Sequence, residues 1–178
     1  MRLNVLAIGD IVGSPGREIV QNKLAGLIKK HRIHFCVANG ENVAGGSGIT
    51  QTLAEELLGY GINVITTGDH IYKRKEIIPY LNTQPAILRP ANYSPDASGH
   101  GYNIYELPGG LKVGVINLQG RVFMPPSDCH FHTANRIINN IRYETNIIIL
   151  DIHAEATSEK IAMGWHLDGK VSLVFGTH

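Results

Sequence analysis

The stretch LNVLAIGD, residues 3–10, decides the fold class, because it is a continuous apolar run that stops at a Gly-Asp turn. Such a short run is typical of a buried strand, and the apolar positions between residues 19 and 28 indicate that a helix follows it. Apolar runs at 35–38, 63–67 and 146–150 are each followed by a loop and a helical pattern. Alternating strands and helices predict a layered α/β fold.

The middle of the chain interrupts this alternation. Residues 102–107 and 111–118 are two β-rich runs on either side of a Pro-Gly-Gly turn, so we expect an antiparallel hairpin and a mixed sheet. The composition of 91–101 predicts a surface loop near a site. Further strands are expected at 86–88 and 171–175, and a loop at 119–130. We expect one helix to begin near Thr50 or Thr52 and another to follow residue 70 as far as Pro79. Two more helices are expected at 133–142 and at 156–163.

The composition predicts one compact domain over residues 1–178, with 43% hydrophobic residues for its core. A formal net charge of +1 provides no extended surface for nucleic acid. Cys36 and Cys129 are too few for a disulfide framework, which favours a reducing cytoplasm. The first apolar run is too short for a secretion signal or a membrane span, so we expect no membrane association.

Residues of the metal-ligand type follow five of the predicted strands. In open α/β sheets, sites form beyond the carboxyl ends of strands, so we expect these side chains to converge. Each one alone has an ordinary explanation as a turn cap, a solvated loop residue or a hydrogen-bonded histidine. Their joint placement indicates a site. The residues are Asp10, Glu41, Asn42, Asp69, His70, His153 and His178.

Carboxylate oxygens and imidazole nitrogens suit Mn, Fe or Zn, whereas a structural zinc or iron–sulfur site would need clustered cysteines. The set has enough donors for two ions that share a bridging carboxylate. Residues 9–16 have neither the glycine spacing of a dinucleotide-binding loop nor the Gly-Lys-Ser/Thr ending of a P-loop. A catalytic metal site is therefore favoured over a nucleotide-cofactor site.

The remaining histidines do not stand at strand ends, and we interpret them as surface or packing residues. Two of them, His130 and His132, lie beside Asp128 and Cys129, which leaves an accessory metal or substrate contact open. The six residues are His31, His34, His100, His130, His132 and His166.

Five motifs taken together resemble the YmdB-type branch of the calcineurin-like metallophosphoesterases, which are bacterial cyclic-nucleotide phosphodiesterases. The resemblance implies a layered α/β/β/α sandwich with mixed sheets. It also implies a hydrolase that acts on 2′,3′-cyclic nucleotides or related small phosphodiesters, with two divalent or mixed-valence ions, iron or manganese first and zinc or magnesium as alternatives. The motifs are Gly9–Gly13, Asn39–Gly46, Thr67–His70, His153–Lys160 and Gly176–His178.

The resemblance also implies a role for each site residue, and no organic cofactor. His70 is the proton donor. One metal is held by Asp10, Glu41 and Asn42, and Glu41 bridges to a second metal held by Asp69, His153 and His178. Independently of the resemblance, Asp151 stands two residues before His153, where a carboxylate can orient an imidazole through a hydrogen bond.

Two departures from the family pattern affect these expectations. Asp69 stands where the family usually has Asn, which adds a negative charge to the second metal. The sequence stops at His178, where the family continues with a further Thr-His and more sheet. We therefore expect the C-terminal part of the sandwich to be missing and one ligand position to be unfilled. A weakly active or non-enzymatic metal-binding regulatory protein is the alternative, and assembly into a homo-oligomer stays open.

Overall fold

Two four-stranded sheets form the centre of the protein in the computed structural model, which describes residues 3–178. The first sheet has the order β1 (Val5–Ile8), β2 (Phe35–Asn39), β3 (Val64–Thr66) and β4 (Ile87–Leu88), and all its pairs are parallel. The second has the order β5 (Tyr102–Glu106), β6 (Lys112–Gln119), β7 (Ile148–His153) and β8 (Leu173–Thr177). Only β5 is antiparallel to its neighbour, so the predicted hairpin makes the second sheet mixed.

Alternating side chains of β2 show how the layers are arranged. Phe35 and Val37 face a core between the two sheets, where they meet Val113 and Val115 of β6. Cys36 faces the other way, into a core that the first sheet shares with the first two helices. Because successive residues of a strand point to opposite faces, a strand buried on both faces reads as a continuous apolar run. The run at 35–38 therefore belongs to a middle layer.

Helices cover the outer faces of both sheets. On the first sheet, α1 (Gly13–His31) and α2 (Gln51–Gly59) contribute residues such as Leu24 and Leu57. On the second sheet, α4 (His130–Ile141) and α5 (Thr157–His166) contribute Ile137 and Met163. The hydroxyl of Thr50 accepts a hydrogen bond from the Leu53 amide and caps α2, as predicted. The expected α/β/β/α sandwich is confirmed.

The helix predicted between residue 70 and Pro79 is wrong over most of its length. Residues 69–74 form turns and bends, followed by a 3₁₀ turn (Lys75–Ile77) and the short α3 (Ile78–Leu81). The reason lies at its start, where the backbone amide of His70 donates to the Glu41 carboxylate at 3.2 Å. Within residues 3–178, no helix combines the length and the hydropathy needed to cross a bilayer.

Candidate metal centre

Three predicted ligands from three strand ends come together at the carboxyl edge of the sandwich. Glu41 follows β2, Asp69 follows β3 and His153 is the last residue of β7, and each offers one ligand atom within 4.8 Å of the other two. The Nε2 atom of His153 lies 3.1 Å from Oε1 of Glu41 and 3.4 Å from Oδ1 of Asp69. The first sheet thus supplies two carboxylates, and the second sheet supplies the imidazole.

The Nε2 atom of His153 provides a test of whether these residues fit a cation. It is buried within ion-pair distance of both carboxylates, yet it is not aligned for a hydrogen bond with either of them. Burial disfavours the imidazolium, but the carboxylates of Asp69 and Glu41 outweigh this and raise the pKa of His153 to about 9. The cluster therefore stabilises positive charge at its centre. A nitrogen and two carboxylates around such a point fit a divalent cation.

The other ring nitrogen of His153 determines which tautomer is favoured. Nδ1 lies 3.0 Å from the hydroxyl oxygen of Thr177, and that hydroxyl donates its own hydrogen to Oδ1 of Asp151 at 2.9 Å. The hydroxyl must therefore accept from Nδ1–H, so Nε2 is the nitrogen that offers its lone pair to a cation when the ring is neutral. Asp151 thus acts on the imidazole through Thr177. The sequence reasoning missed Thr177, although it stands directly before His178 in a quoted motif.

Asp151 is fully buried and joins the two sheets beneath the centre. Its Oδ2 accepts hydrogen bonds from the side chains of Asn39 on β2 and Thr66 on β3. Burial raises the pKa of Asp151 to about 6, against the opposing effect of the hydrogen bonds from Thr66, Asn39 and Thr177. A buried network with every member hydrogen-bonded is rigid, so it fixes the distance between the carboxylates and the imidazole.

Asn42 connects Glu41 to His70. Its amide nitrogen donates to Oε1 of Glu41 at 3.1 Å, and its amide oxygen lies 2.7 Å from Nδ1 of His70. Because an amide oxygen only accepts, Nδ1 of His70 carries a hydrogen. The Nε2 atom of His70 lies 3.7 Å from Oδ2 of Asp69, on a half-buried ring at the solvent side of the cluster. The role of Asn42 as a metal ligand stays a prediction.

Asp10 and His178 lie together, outside the group of three. The Asp10 carboxylate is exposed and accepts a hydrogen bond from the His178 backbone amide at 2.8 Å. The imidazole of His178 pairs with Glu155, with Nε2 2.7 Å from Oε2. Its ring centroid is nevertheless only 5.8 Å from that of His153. The structure places both residues beside the centre, and their roles as ligands stay predictions.

Gly68 is a second residue that the sequence reasoning missed. A Cβ atom at this position would collide with the His153 imidazole and with the Glu41 carboxylate. The backbone before Asp69 therefore passes directly against the cluster, where only glycine leaves room for it. The available signal was a glycine between the end of a strand and two polar residues.

A cleft of about 770 Å³ opens next to Asp69. Its walls include Tyr72 and Tyr93, whose ring centroids are 6.3 Å apart. The hydroxyl of Tyr93 donates to the side chain of Gln119, whose amide donates to the Pro125 carbonyl at 3.0 Å and holds the opposite wall. The loops 91–101 and 119–130 form most of the lining, so the loop predicted near the site does lie there.

His130 is a packing residue of α4. Its ring is buried against Phe131, with centroids 4.3 Å apart, and its Nε2 lies 3.6 Å from Oε1 of Glu159. His132 is exposed. Among the residues that the structure describes, neither belongs to a group of three metal-type ligands.

Comparison with known proteins places this arrangement in a family. The chain is 43% identical over 176 residues to the 2′,3′-cyclic-nucleotide 2′-phosphodiesterase of Bacillus subtilis (strain 168), a match that covers 99% of the chain and 66% of that protein. It is 32% identical over 184 residues to the putative phosphatase/phosphodiesterase MG246 of Mycoplasma genitalium, where it covers 64% of the relative. The chain thus spans slightly less than two thirds of the length of these curated relatives.

Two solved structures have the same fold. The crystal structure of a hypothetical protein from Thermus thermophilus matches 98% of the chain and 67% of its own length, with a TM-score of 0.90 and 34% identity. The crystal structure of a novel phosphatase from Mycoplasma pneumoniae matches 99% of the chain and 64% of its own length, with a TM-score of 0.90 and 30% identity. The model of the YmdB-like protein family matches residues 6–178, and the chain belongs to this family.

Proposed function

We propose that this chain forms a metal-dependent phosphodiesterase that acts on 2′,3′-cyclic nucleotides or related small phosphodiesters. The observation that carries the proposal is the convergence of Glu41, Asp69 and His153 beside an open cleft, with the Nε2 atom of His153 buried between the two carboxylates but not hydrogen-bonded to either. The printed name of the Bacillus subtilis relative supports the reaction class.

Two ions, iron or manganese, are proposed for the centre. Glu41 would bridge them, Asp69, His153 and His178 would hold one, and Asp10 and Asn42 would hold the other. Ions bound there supply Lewis acidity to a phosphoryl group. The side chain of Asn42 keeps the Glu41 carboxylate in position, since it donates to Oε1.

His70 is proposed as the proton donor for the leaving alkoxide. Its Nδ1–H is committed to the oxygen of Asn42, which fixes the ring plane. Its Nε2 remains on the solvent side and carries the transferable hydrogen when the ring is protonated. General acid catalysis by a positioned histidine typically contributes ~10²–10⁴-fold to a rate.

The cleft beside Asp69 is the proposed place for the organic part of the substrate. Tyr72 and Tyr93 present aromatic surface there, and such surface suits a nucleobase whatever its identity. A formal net charge of +1 favours a small ligand over a long nucleic acid.

The test replaces His70 and measures both activity and metal content. The His70→Ala variant should lose ~10²–10⁴-fold in the hydrolysis rate of a 2′,3′-cyclic nucleotide, with its Mn or Fe content unchanged. His132→Ala, which removes an exposed histidine that is not part of the group of three ligands, serves as the matched control. Full activity in the His70→Ala variant would eliminate the role proposed for this residue.

A metal-binding protein with little or no activity is the second candidate. It is favoured by one observation, namely that the His178 imidazole pairs with Glu155 and not with the carboxylates of the cluster. Metal analysis separates the two candidates. About two ions per chain would support the dinuclear enzyme, whereas a single ion would support the alternative.

We also infer that the protein works in the cytoplasm. Cys36 and Cys129 are both free thiols, which suits a reducing compartment. Fractionation of cells that express the protein, with detection by antibody, tests this inference.

A further inference from the structure

Arg89, which directly follows β4, is a buried cation without a counter-ion. Only 7% of the residue is exposed, and its Nη1 donates to the Pro90 carbonyl at 2.7 Å. Its Nε is buried and has no hydrogen-bond partner. Among residues 3–178, no carboxylate comes within the 4.0 Å of an ion pair with it. A guanidinium keeps its proton in proteins, so burial without a partner is costly.

A cavity of about 180 Å³ adjoins this guanidinium. Arg136 of α4 lines the same cavity, as do Asp128 and Tyr102. Arg136 also forms no ion pair among the described residues. Two arginines and one aspartate leave an excess of one positive charge around the space. The cavity is therefore lined by two guanidiniums that form no ion pair and by an excess of positive charge, which are features that suit an oxyanion.

We propose that this cavity, which we call the Arg89 pocket, binds a phosphate group. A planar guanidinium presents its donors in a fork that matches phosphate oxygens, and the exposed Arg136 lines the same cavity. Tyr93, Pro95 and Asp128 line both the Arg89 pocket and the cleft beside Asp69. The phosphate would therefore bind next to the cleft, in a space that none of the proposed metal ligands lines.

The phosphate could come from two sources, and both use the same chemistry. One is free inorganic phosphate. The other is a second phosphate of a nucleotide whose cyclic end occupies the cleft, and this source rests on the function proposed above. The experiment has one arm for each source, so a failure of the proposed function cannot be mistaken for a failure of the Arg89 pocket.

The first arm titrates inorganic phosphate calorimetrically into the protein and into a His153→Asn variant, which weakens any contribution of the metal centre. We expect about one phosphate per chain in both, and affinity at least ~10-fold weaker after Arg136→Glu. Arg142→Glu is the matched control, because it reverses the same charge on an exposed residue at the end of α4, outside the pocket. Arg89→Lys, which keeps the charge and loses the fork, should also weaken binding.

The second arm compares a nucleoside 2′,3′-cyclic phosphate with and without a 5′-phosphate. For a subsite that binds a second phosphate, Arg136→Glu should raise KM ~10-fold or more for the 5′-phosphorylated substrate only, with kcat unchanged. The proposal is supported if Arg136→Glu weakens phosphate binding in the first arm or raises KM in the second, and Arg142→Glu does not. The arm in which the effect appears identifies the source of the phosphate. The proposal would be overturned if Arg136→Glu and Arg142→Glu changed phosphate affinity and KM equally, or if neither variant changed them.

Discussion

The Nδ1 atom of His153 lies 3.0 Å from the hydroxyl oxygen of Thr177. That hydroxyl also donates to Asp151. Its removal in Thr177→Val should therefore have two effects: the His153 ring loses the hydrogen bond that selects its tautomer, and the buried Asp151 carboxylate loses one hydrogen-bond donor. Loss of such a partner behind a metal ligand typically costs ~10–100-fold in metal affinity. Calorimetric titration with Mn²⁺ measures the change.

Thr145→Val is the matched control for that experiment. It removes another mostly buried hydroxyl, which donates to the Lys112 carbonyl far from the cluster, so it should reduce stability without changing metal affinity. Equal Mn²⁺ affinities in the two variants would contradict the role given to Thr177.

Gly68→Ala should abolish metal binding. The added methyl group would overlap the His153 ring and the Glu41 carboxylate, and neither side chain has free space to move into because both are buried. Gly164→Ala in α5 provides the comparison, since a Cβ there meets no atom within 4 Å. That control should stabilise the helix by ~0.5–1 kcal/mol. Metal analysis and thermal unfolding of both variants test the prediction, and a Gly68→Ala protein with full metal content would refute it.

The two cysteines should differ in reactivity. Cys36 is only 1% exposed, and its burial raises the pKa of the thiol to about 12. Cys129, in contrast, is partly exposed. Because the thiolate is the reactive form, iodoacetamide at ~pH 8 should label Cys129 in the native protein and leave Cys36 unlabelled. Mass spectrometry after labelling detects this, with the denatured protein as the positive control. Native labelling of Cys36 would show that the core between the first sheet and helices α1 and α2 opens readily.

His130 should make the protein sensitive to mild acid. Burial lowers the pKa of His130, and Arg121 and His166 act in the same direction, against the effect of Glu159. The pKa is thus lower in the folded chain than the usual 6.5, so this contribution to stability is complete above pH 6.5 and is lost as the pH falls below it. Denaturant unfolding should show a smaller loss of stability between ~pH 7 and ~pH 5 in His130→Leu than in the wild type.

His132→Leu provides the comparison for this titration, because it removes an exposed histidine from the first turn of the same helix. We expect it to keep the pH dependence of the wild type. Parallel curves for the His130→Leu variant and the wild type would show that another group is responsible.

Much of the fold could be predicted from local sequence, because strands buried on both faces form uninterrupted apolar runs. The run at 35–38 is such a case, and its strand is observed at Phe35–Asn39. The division into two sheets was given only by the family resemblance, since strand order depends on contacts distant in sequence. The helix expected after residue 70 failed because Glu41 captures the His70 amide, a contact between residues 29 positions apart.

The candidate site shows the same division between local and distant information. The ends of parallel strands of one sheet meet at one edge, so the proximity of Glu41 and Asp69 could be predicted on that ground. His153 was also correctly expected there, but it comes from the second sheet, and its approach depends on how the two sheets pack. The position of a strand end does not determine the direction of a side chain, which is why the pairing of His178 with Glu155 was not foreseen. The Arg89 pocket also escaped prediction, because the cavity depends on Arg136, which lies on another element.

The division of the proposed ligands between the two sheets has a consequence for folding as well as for the proposed activity. The strand-pairing hydrogen bonds of each sheet are formed within that sheet, and the side chains of Asn39 and Thr66 join the two layers beneath the cluster through Asp151. A cation bound by Glu41, Asp69 and His153 would act as a cross-link between the layers, and its binding energy would contribute to the folding energy. A chelator would then destabilise the sandwich as well as inhibit it, and the supply of metal during synthesis would control how much protein folds.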